Sequence, residues 1–215
     1  MPKKNMRHLG GKPLISWTLD ISKGLPGVCD VLVSTDDSSI AQVGKNSDAK
    51  VPWLRPAELS SDIANSVDVA MHGLDWYEKH YGEVDGLLLL QPTSPFRTRE
   101  MLEKGIRIFY ENRRRSVIGV SPTKTNPAWS LKIENGRLVP FTSLGDLKIR
   151  SQDLITAYEP NGSFYLISPE ELRNQKSFYG FESLPLIIDS EVEALDIDTE
   201  QDFLFAEFIF QSKVK

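Results

Sequence analysis

Apolar positions along the chain follow two patterns in turn: a helical spacing, and short unbroken runs that read as strands buried on both faces. In Pro13 to Lys23, PLISWTLDISK, the residues Leu14, Trp17 and Leu19–Ile21 fall on or near one helical face. Pro13 suits a first helical turn and Gly24 the exit. DVLVSTDD follows, and its run Val31, Leu32, Val33 predicts a buried parallel strand. SSIAQVGKN reads as a short helix with Ser38 or Ser39 as its cap. AKVPWLRPAELSSD is mostly loop, because Pro52 and Pro56 interrupt any regular element. From Ser66 to His80, Val67, Met71, Leu74 and Tyr77 recur at helical spacing. Leu87–Leu90 is the plainest strand, ending at Gln91-Pro92. A helix over Thr98 to Asn112 and a buried strand, SVIGVS, come next.

The segment from Pro122 to Pro160 breaks this rhythm with prolines, an ENG turn at Glu134–Gly136 and short alternating pieces, WSLKI and RLVPF. It reads as a β-rich excursion. GSFYLIS, a helix near Pro169–Arg173, LPLIIDS and a last helix over Gln201 to Phe210 complete the chain. Helices alternating with strands predict an α/β fold, Rossmann-like and doubly wound, with a mostly parallel sheet. The 215 residues then form a single domain, 1–215, that carries the excursion 122–160. The opening MPKKNMRHLGGKPL reads as a basic loop with no strand before the first helix.

Composition narrows the function. A net charge of −5 argues against a general nucleic-acid binder, while local basic spots can still grip phosphates. One cysteine, Cys29, excludes an internal disulfide framework and a Cys-rich zinc site; beside Val28 and Val31 it is expected to be buried or half-buried. No segment is apolar enough over a membrane's width, and none resembles a signal peptide, so a reducing cytoplasm is the expected location. His8, His72 and His80 show no metal-ligand spacing.

Ligands of open α/β sheets bind at the carboxyl ends of the strands, and three groups fall there or in flanking loops. In Asp196-Ile197-Asp198, residues two apart in an extended segment point the same way, so both carboxylates face one site and Ile197 the core. Two carboxylates about 5 Å apart repel by roughly 3 kcal/mol at an effective dielectric near 20, which a cation relieves. Mg²⁺ is the natural partner, since it accepts one or two carboxylates plus substrate phosphates. A helix cap is the alternative use for Asp198, but leaves Asp196 without a role. The second group, Gln91 to Arg97, is a Pro-stiffened loop rich in hydroxyl and amide groups that can hold a polyhydroxylated ligand; the alternative is a plain turn into a helix capped by Thr98. The third is basic: Lys3, Lys4, Asn5, Arg7 and Arg55, able to neutralise phosphates and read a base edge, or simply a solvated basic end.

Taken in order, PKKNMRHLGGKPLISWTL, VLVSTDDSSIA, VPWLRPAELSSD, LLLLQPTSPFRT, PNGSFYL and LDIDTEQDF resemble the acylneuraminate cytidylyltransferases, the CMP-sialic acid synthetases, along nearly the whole chain. The resemblance implies the nucleotide-diphospho-sugar transferase type of fold. It also implies a reaction in which CTP and a nine-carbon 2-keto sugar acid give the CMP-sugar and pyrophosphate. By that likeness Asn5, Arg55 and Ser66 contact the cytidine, and Lys4 the phosphates. Gln91, Thr93, Ser94, Asn161 and Tyr165 line the sugar site, with Phe178 and Tyr179 as its apolar wall. Asp196 and Asp198 hold Mg²⁺, so Asp198 and Lys4 carry the catalytic charge. The family is typically a homodimer whose excursion reaches the partner's site, with Arg150 as the basic residue delivered.

Two departures bear on function. The sialic acid branch usually carries Arg before Pro-Asn-Gly, where it meets the sugar carboxylate; here the residue is Glu159, which makes a related nonulosonate such as legionaminic acid at least an equal candidate. A 3-deoxy-octulosonate is disfavoured by QPTSP, since that branch usually has an acidic loop there. The family also usually begins with an apolar strand and a Gly-rich phosphate loop ahead of the Lys-Asn pair, neither of which this sequence contains. The expectation is therefore an N-terminally truncated nucleotidyltransferase domain, either an active enzyme whose start lies further upstream or a non-catalytic binding relative, and low activity for the 215-residue chain.

Overall fold

Two adjacent glycines shape the first element, which is a hairpin rather than the expected loop. Strands β1 (His8–Leu9) and β2 (Lys12–Pro13) pair antiparallel across Gly10-Gly11, both at positive φ. That is the two-residue turn that glycine makes without steric cost. A Cβ on Gly10 would lie 2.4 Å from the Phe210 ring, so the turn also needs glycine for close packing. Pro13 is consequently the last strand residue, and helix α1 spans Leu14–Ser22. The computed structural model describes residues 3–61, 64–180 and 182–213; Met1, Pro2 and Asp62, at the ends of two quoted motifs, lie outside these.

The other helices are α2 (Ser38–Asn46), α3 (Ser66–Tyr81), α4 (Arg99–Glu111), α5 (Pro169–Gln175) and α6 (Glu200–Lys213). Their caps follow local chemistry. Asp37, not Ser38 or Ser39, caps α2, because its carboxylate accepts from two amides, Ser39 at 2.7 Å and Ile40 at 3.3 Å. Thr98 caps α4 as expected. None of the described helices is long and apolar enough to cross a membrane.

The main sheet has the order β3 (Leu87–Leu89), β7 (Tyr158–Ile167), β4 (Val117–Pro122), β8 (Leu184–Ile187). The α/β alternation holds, but this sheet is mixed. β4 and β8 pair parallel, whereas β7 runs antiparallel to both its neighbours. The reason lies in the connection. The chain leaves β4, makes the separate hairpin β5 (Leu131–Glu134) and β6 (Arg137–Pro140), and returns without a crossover helix. Without a crossover the returning strand pairs antiparallel. β7 therefore starts inside the expected excursion, at Tyr158.

Helices cover both faces of the sheet. On one face, Met101, Leu102 and Phe109 of α4 pack with Val117, Phe164, Leu166 and Leu186. On the other, Ala70 and Leu74 of α3 meet Ile167, Leu172 and Phe178. The alternation Phe164, Leu166 against Tyr165, Ile167 divides β7 between these two layers. Each fully buried side chain here contributes about 1.5–3 kcal/mol relative to exposure.

Three expectations fail beside this core. Val31–Val33 forms no full strand; its sole bridge is Leu32 to Lys50, because no described strand lies on its other side. Between this segment and β3 is a hollow of about 820 Å³. Leu87–Leu90, predicted to be fully buried, is half-buried along it. Cys29 is exposed, carried outward by the turn after α1, where Tyr77 Oη lies 3.5 Å from its sulfur.

Candidate active site

The Asp196-Ile197-Asp198 segment is held by its middle residue. Ile197 is fully buried among Leu9, Leu14, Phe203 and Ala206, and its N–H donates to the Thr93 carbonyl at 2.9 Å. With Ile197 fixed inward, the flanking carboxylates project away from that core. Asp198 does not cap α6. Thr199 does, its hydroxyl accepting from the Asp202 N–H while the Asp202 carboxylate accepts from the Thr199 N–H. Asp198 is thereby left to face Lys4, whose ammonium donates to Oδ1 at 2.8 Å. Lys4 sits in a single 3-10 turn, Lys4–Met6, that Arg7 ties to α6 through an ion pair with Glu200 and a stack 3.9 Å over the Phe203 ring.

Asp196 is the more buried carboxylate. Its burial raises its pKa above the ordinary 3.8; a Thr93 hydrogen bond opposes the rise, Asp198 adds to it, and Lys4 and Arg97 oppose it more weakly. Its Oδ1 is buried without a hydrogen-bond partner. A buried, half-satisfied carboxylate beside a second one is the arrangement that a hard cation satisfies. The donor set is two carboxylates, and among the described residues no three or more His, Cys, Asp or Glu are grouped so as to hold a metal ion by themselves, so ligand oxygens would complete the coordination shell.

The PNGS stretch supplies the third side. Between Ile118↔Tyr165 and Val120↔Pro160 the register jumps, so β7 bulges at Asn161–Ser163. Asn161 locks the bulge: its amide donates to Ser121 Oγ at 2.8 Å, and its carbonyl accepts from Ser163 N and Oγ. Gly162, at φ +75°, has no Cβ, and the space one would fill is approached by Gln91 Oε1 at 3.0 Å and Asp196 Oδ2 at 3.1 Å. Bulges beside sites re-aim strands in this way.

Gln91, Thr93 and Ser94 form one wall, with Thr93 and Ser94 buried. Ser94 Oγ has no hydrogen-bond partner. Beneath them lies Arg97, which the motif contained but sequence reasoning gave no role. It is buried, and its guanidinium donates to the carbonyls of Gln91 at 2.6 Å and Ser94 at 2.7 Å, to Ser163 O, and to Thr18 Oγ1 at 3.1 Å. Burial pulls its pKa down to about 9, against the attraction of Asp196, so the group stays charged at neutral pH. Only an arginine between the loop and the Thr98 cap signalled it in the sequence.

Tyr165 stands on the same face as Asp196. Its phenol is shifted upward by burial and by the Tyr179 hydroxyl 3.4 Å away. Of the expected apolar wall, Phe178 and Tyr179, Tyr179 is exposed beside Tyr165, whereas Phe178 is buried behind Tyr165 in the core. Asn5, Arg55 and Ser66 line the polar mouth of the 820 Å³ hollow together with Gln91. Arg55 is steered there by Ser60 at 3.1 Å and Asp36 at 3.3 Å. Arg150 joins none of this; it pairs with Asp153 at 2.9 Å inside the excursion.

The profile of the cytidylyltransferase family matches residues 1–208. The CMP-N,N'-diacetyllegionaminic acid synthase of Legionella pneumophila is 36% identical over 98% of this chain and 90% of its own length. The N-acylneuraminate cytidylyltransferase of Escherichia coli O18:K1:H7 is 30% identical over 98% of this chain, which spans 49% of that protein. Among solved structures, a CMP:2-keto-3-deoxy-manno-octonic acid synthetase complexed with CTP superposes with a TM-score of 0.71 at 14% identity, covering 99% of this chain and 93% of the other; that likeness concerns the fold.

Proposed function

Because this chain belongs to the cytidylyltransferase family, a family of nucleotidyltransferases, we propose that it joins CTP to a nonulosonic acid, giving the CMP-sugar and pyrophosphate. The observation that carries this reading is the Asp196–Asp198 pair, faced by Lys4 and set against the Gln91–Ser94 wall. Asn5, Arg55 and Ser66 at the mouth take the cytidine, Lys4 meets phosphate oxygens, and Gln91, Thr93 and Tyr165 hold the sugar acid. Asp196 and Asp198 would hold Mg²⁺, which neutralises triphosphate charge when bound. The sugar's anomeric oxygen forms the new bond to the α-phosphorus. The bond from that phosphorus to the bridging oxygen breaks, pyrophosphate departs, and the hydroxyl proton passes to solvent. The protein's part is to align these atoms and to offer charge that needs no rearrangement.

For the acid itself, Glu159 favours a substrate whose carboxylate is bound elsewhere, and the Legionella relative is a synthase for an N,N'-diacetylated acid. A legionaminic-type acid is the substrate proposed. Pyrophosphate release from CTP is measured with N,N'-diacetyllegionaminic, N-acetylneuraminic, pseudaminic and 3-deoxy-octulosonic acids, using the chain with its native upstream sequence, if any. Turnover fastest with the first is expected. Preference for N-acetylneuraminic acid overturns the substrate, and no release with any acid overturns the reaction.

The excursion is proposed as a homodimer surface. Ile133, Leu138, Phe141 and Leu144 are 65–75% exposed on or beside β5 and β6, an apolar patch that a monomer rarely leaves uncovered. Arg150 would reach the partner's site from it. Ile133→Asp with Leu138→Asp is expected to convert a dimer to a monomer in light scattering; an unchanged mass would remove this surface from consideration.

A further inference from the structure

Arg55 belongs to a loop with little regular structure to hold it. From Val51 to Ser60 the one regular element is a 3-10 turn, Ala57–Leu59, and Pro52 and Pro56 have no N–H to donate. Among the described residues, one backbone hydrogen bond ties this stretch to the rest of the chain: Arg55 N donates to Thr35 O at 2.7 Å. The guanidinium uses Nε on Ser60 and Nη2 on Asp36, which leaves Nη1 for a ligand. None of these bonds reaches α3, the helix that opens with Ser66.

Trp53 makes that connection. Its neighbours face outward: Pro52 is exposed, and Leu54 is 53% exposed. The Trp53 indole instead meets the His72 ring edge to face at 4.7 Å and the Trp76 ring at 5.1 Å. His72 and Trp76 are one turn apart on α3, so the indole bridges adjacent turns of the helix. Trp76 is backed in turn by His80, stacked on it at 4.4 Å. The joint is made of ring contacts, not polar bonds, because Trp53 Nε1 and His72 Nδ1 are both buried without a hydrogen-bond partner. An unpaired buried donor works against the folded state, so the position gains nothing from the indole N–H. What it uses is a large flat ring.

We propose that Trp53, seated on His72 and Trp76, is a positioning residue for the nucleotide. It fixes the loop of Arg55 against the helix of Ser66 and so sets these two groups at one spacing for the base. Arg55 and Ser66 stand at the mouth, whereas neither Trp53 nor His72 lines it, so the rings act only through Arg55 and its loop. The proposal rests on the nucleotide reading of that mouth given above.

The test is a double-mutant cycle on the Kd for CTP with Mg²⁺, read by calorimetry on the chain with its native upstream sequence, if any. Trp53→Leu is expected to weaken CTP binding about tenfold through the displaced loop, and to speed exchange of the Arg55 amide. In the Arg55→Ala background the same substitution is expected to change Kd by less than about twofold, because the group it positions is gone. Trp53→Phe keeps the ring contacts, sheds the unpaired N–H and is expected to bind CTP as the wild type does. Where Trp53→Leu does not fold, His72→Leu takes its place in the cycle. An unchanged Kd in the leucine variant, a loss that is equal with and without Arg55, or a phenylalanine variant as weak as the leucine one overturns the proposal while the nucleotide reading stands. Wild-type protein that binds no CTP overturns that reading and this proposal with it.

Discussion

Replacing Asp196 with Asn is expected to raise Tm at neutral pH while cutting Mg²⁺-dependent cytidylyl transfer by about 10²–10³-fold. The activity loss follows from the charge that a divalent cation supplies to the transition state, worth several kcal/mol, at 1.36 kcal/mol per factor of ten. The stability gain follows from linkage. The folded-state pKa of Asp196 lies above 3.8, chiefly because of burial, so the native state holds its proton more tightly than the unfolded chain does. Stability is therefore highest below 3.8 and falls as pH rises from there through the folded pKa. Asparagine keeps the shape and removes the ionisation, so the variant gains most at neutral pH and little below pH 4 or so. Thermal melts at pH 4 and pH 7, with pyrophosphate release assayed alongside, read both effects. A variant that keeps its activity, or that loses Tm equally at both pH values, contradicts the assignment. Asp198→Asn separates the two roles. Asp198 is largely exposed and faces Lys4, so its loss should abolish the same Mg²⁺-dependent turnover without the neutral-pH gain.

The carboxylate pair was legible because an extended segment obeys a strict period of two: an apolar residue between two aspartates decides where all three point. The helical period of about 3.6 likewise placed Val67, Met71 and Leu74 of α3 against the core. Strand direction was not legible. GSFYLIS has the same pattern whichever way it runs, and only the return from β4 without a crossover α-helix makes it antiparallel. Gly10-Gly11 did carry a hairpin signal, hidden because the flanking strands have two residues each. Phe178 and Tyr179 show a different limit. Adjacent aromatic residues look alike in sequence, but one hydroxyl sends Tyr179 outward while Phe178 packs behind Tyr165. Asn161 also ties the bulge to Ser121 on the neighbouring strand, a pairing that residue type alone does not announce.

Arg97→Met is expected to lower Tm by about 10 °C and to leave the Gln91–Ser94 wall disordered, although Arg97 touches neither carboxylate by hydrogen bond. The guanidinium is the shared donor for Gln91 O, Ser94 O, Ser163 O and Thr18 Oγ1. It therefore joins the loop after β3, the bulge in β7 and helix α1. Methionine fills much of the volume but strands three carbonyls, and breaking a buried charged network of this kind costs about 3–5 kcal/mol. At this chain length each kcal/mol shifts Tm by about 2–4 °C. Arg97→Lys gives the discriminating case. It keeps the charge but has three donors in place of the rigid fork, so it cannot span all four acceptors in their present directions. The lysine variant should fold, lose only part of the Tm, and show a raised KM for the sugar acid with the KM for CTP little changed, because the wall it loosens lies on the sugar side. Equal rises in both KM values would mean that Arg97 only supports the fold. A KM for the sugar acid that does not move in the lysine variant would show that the loop holds its geometry without the guanidinium fork.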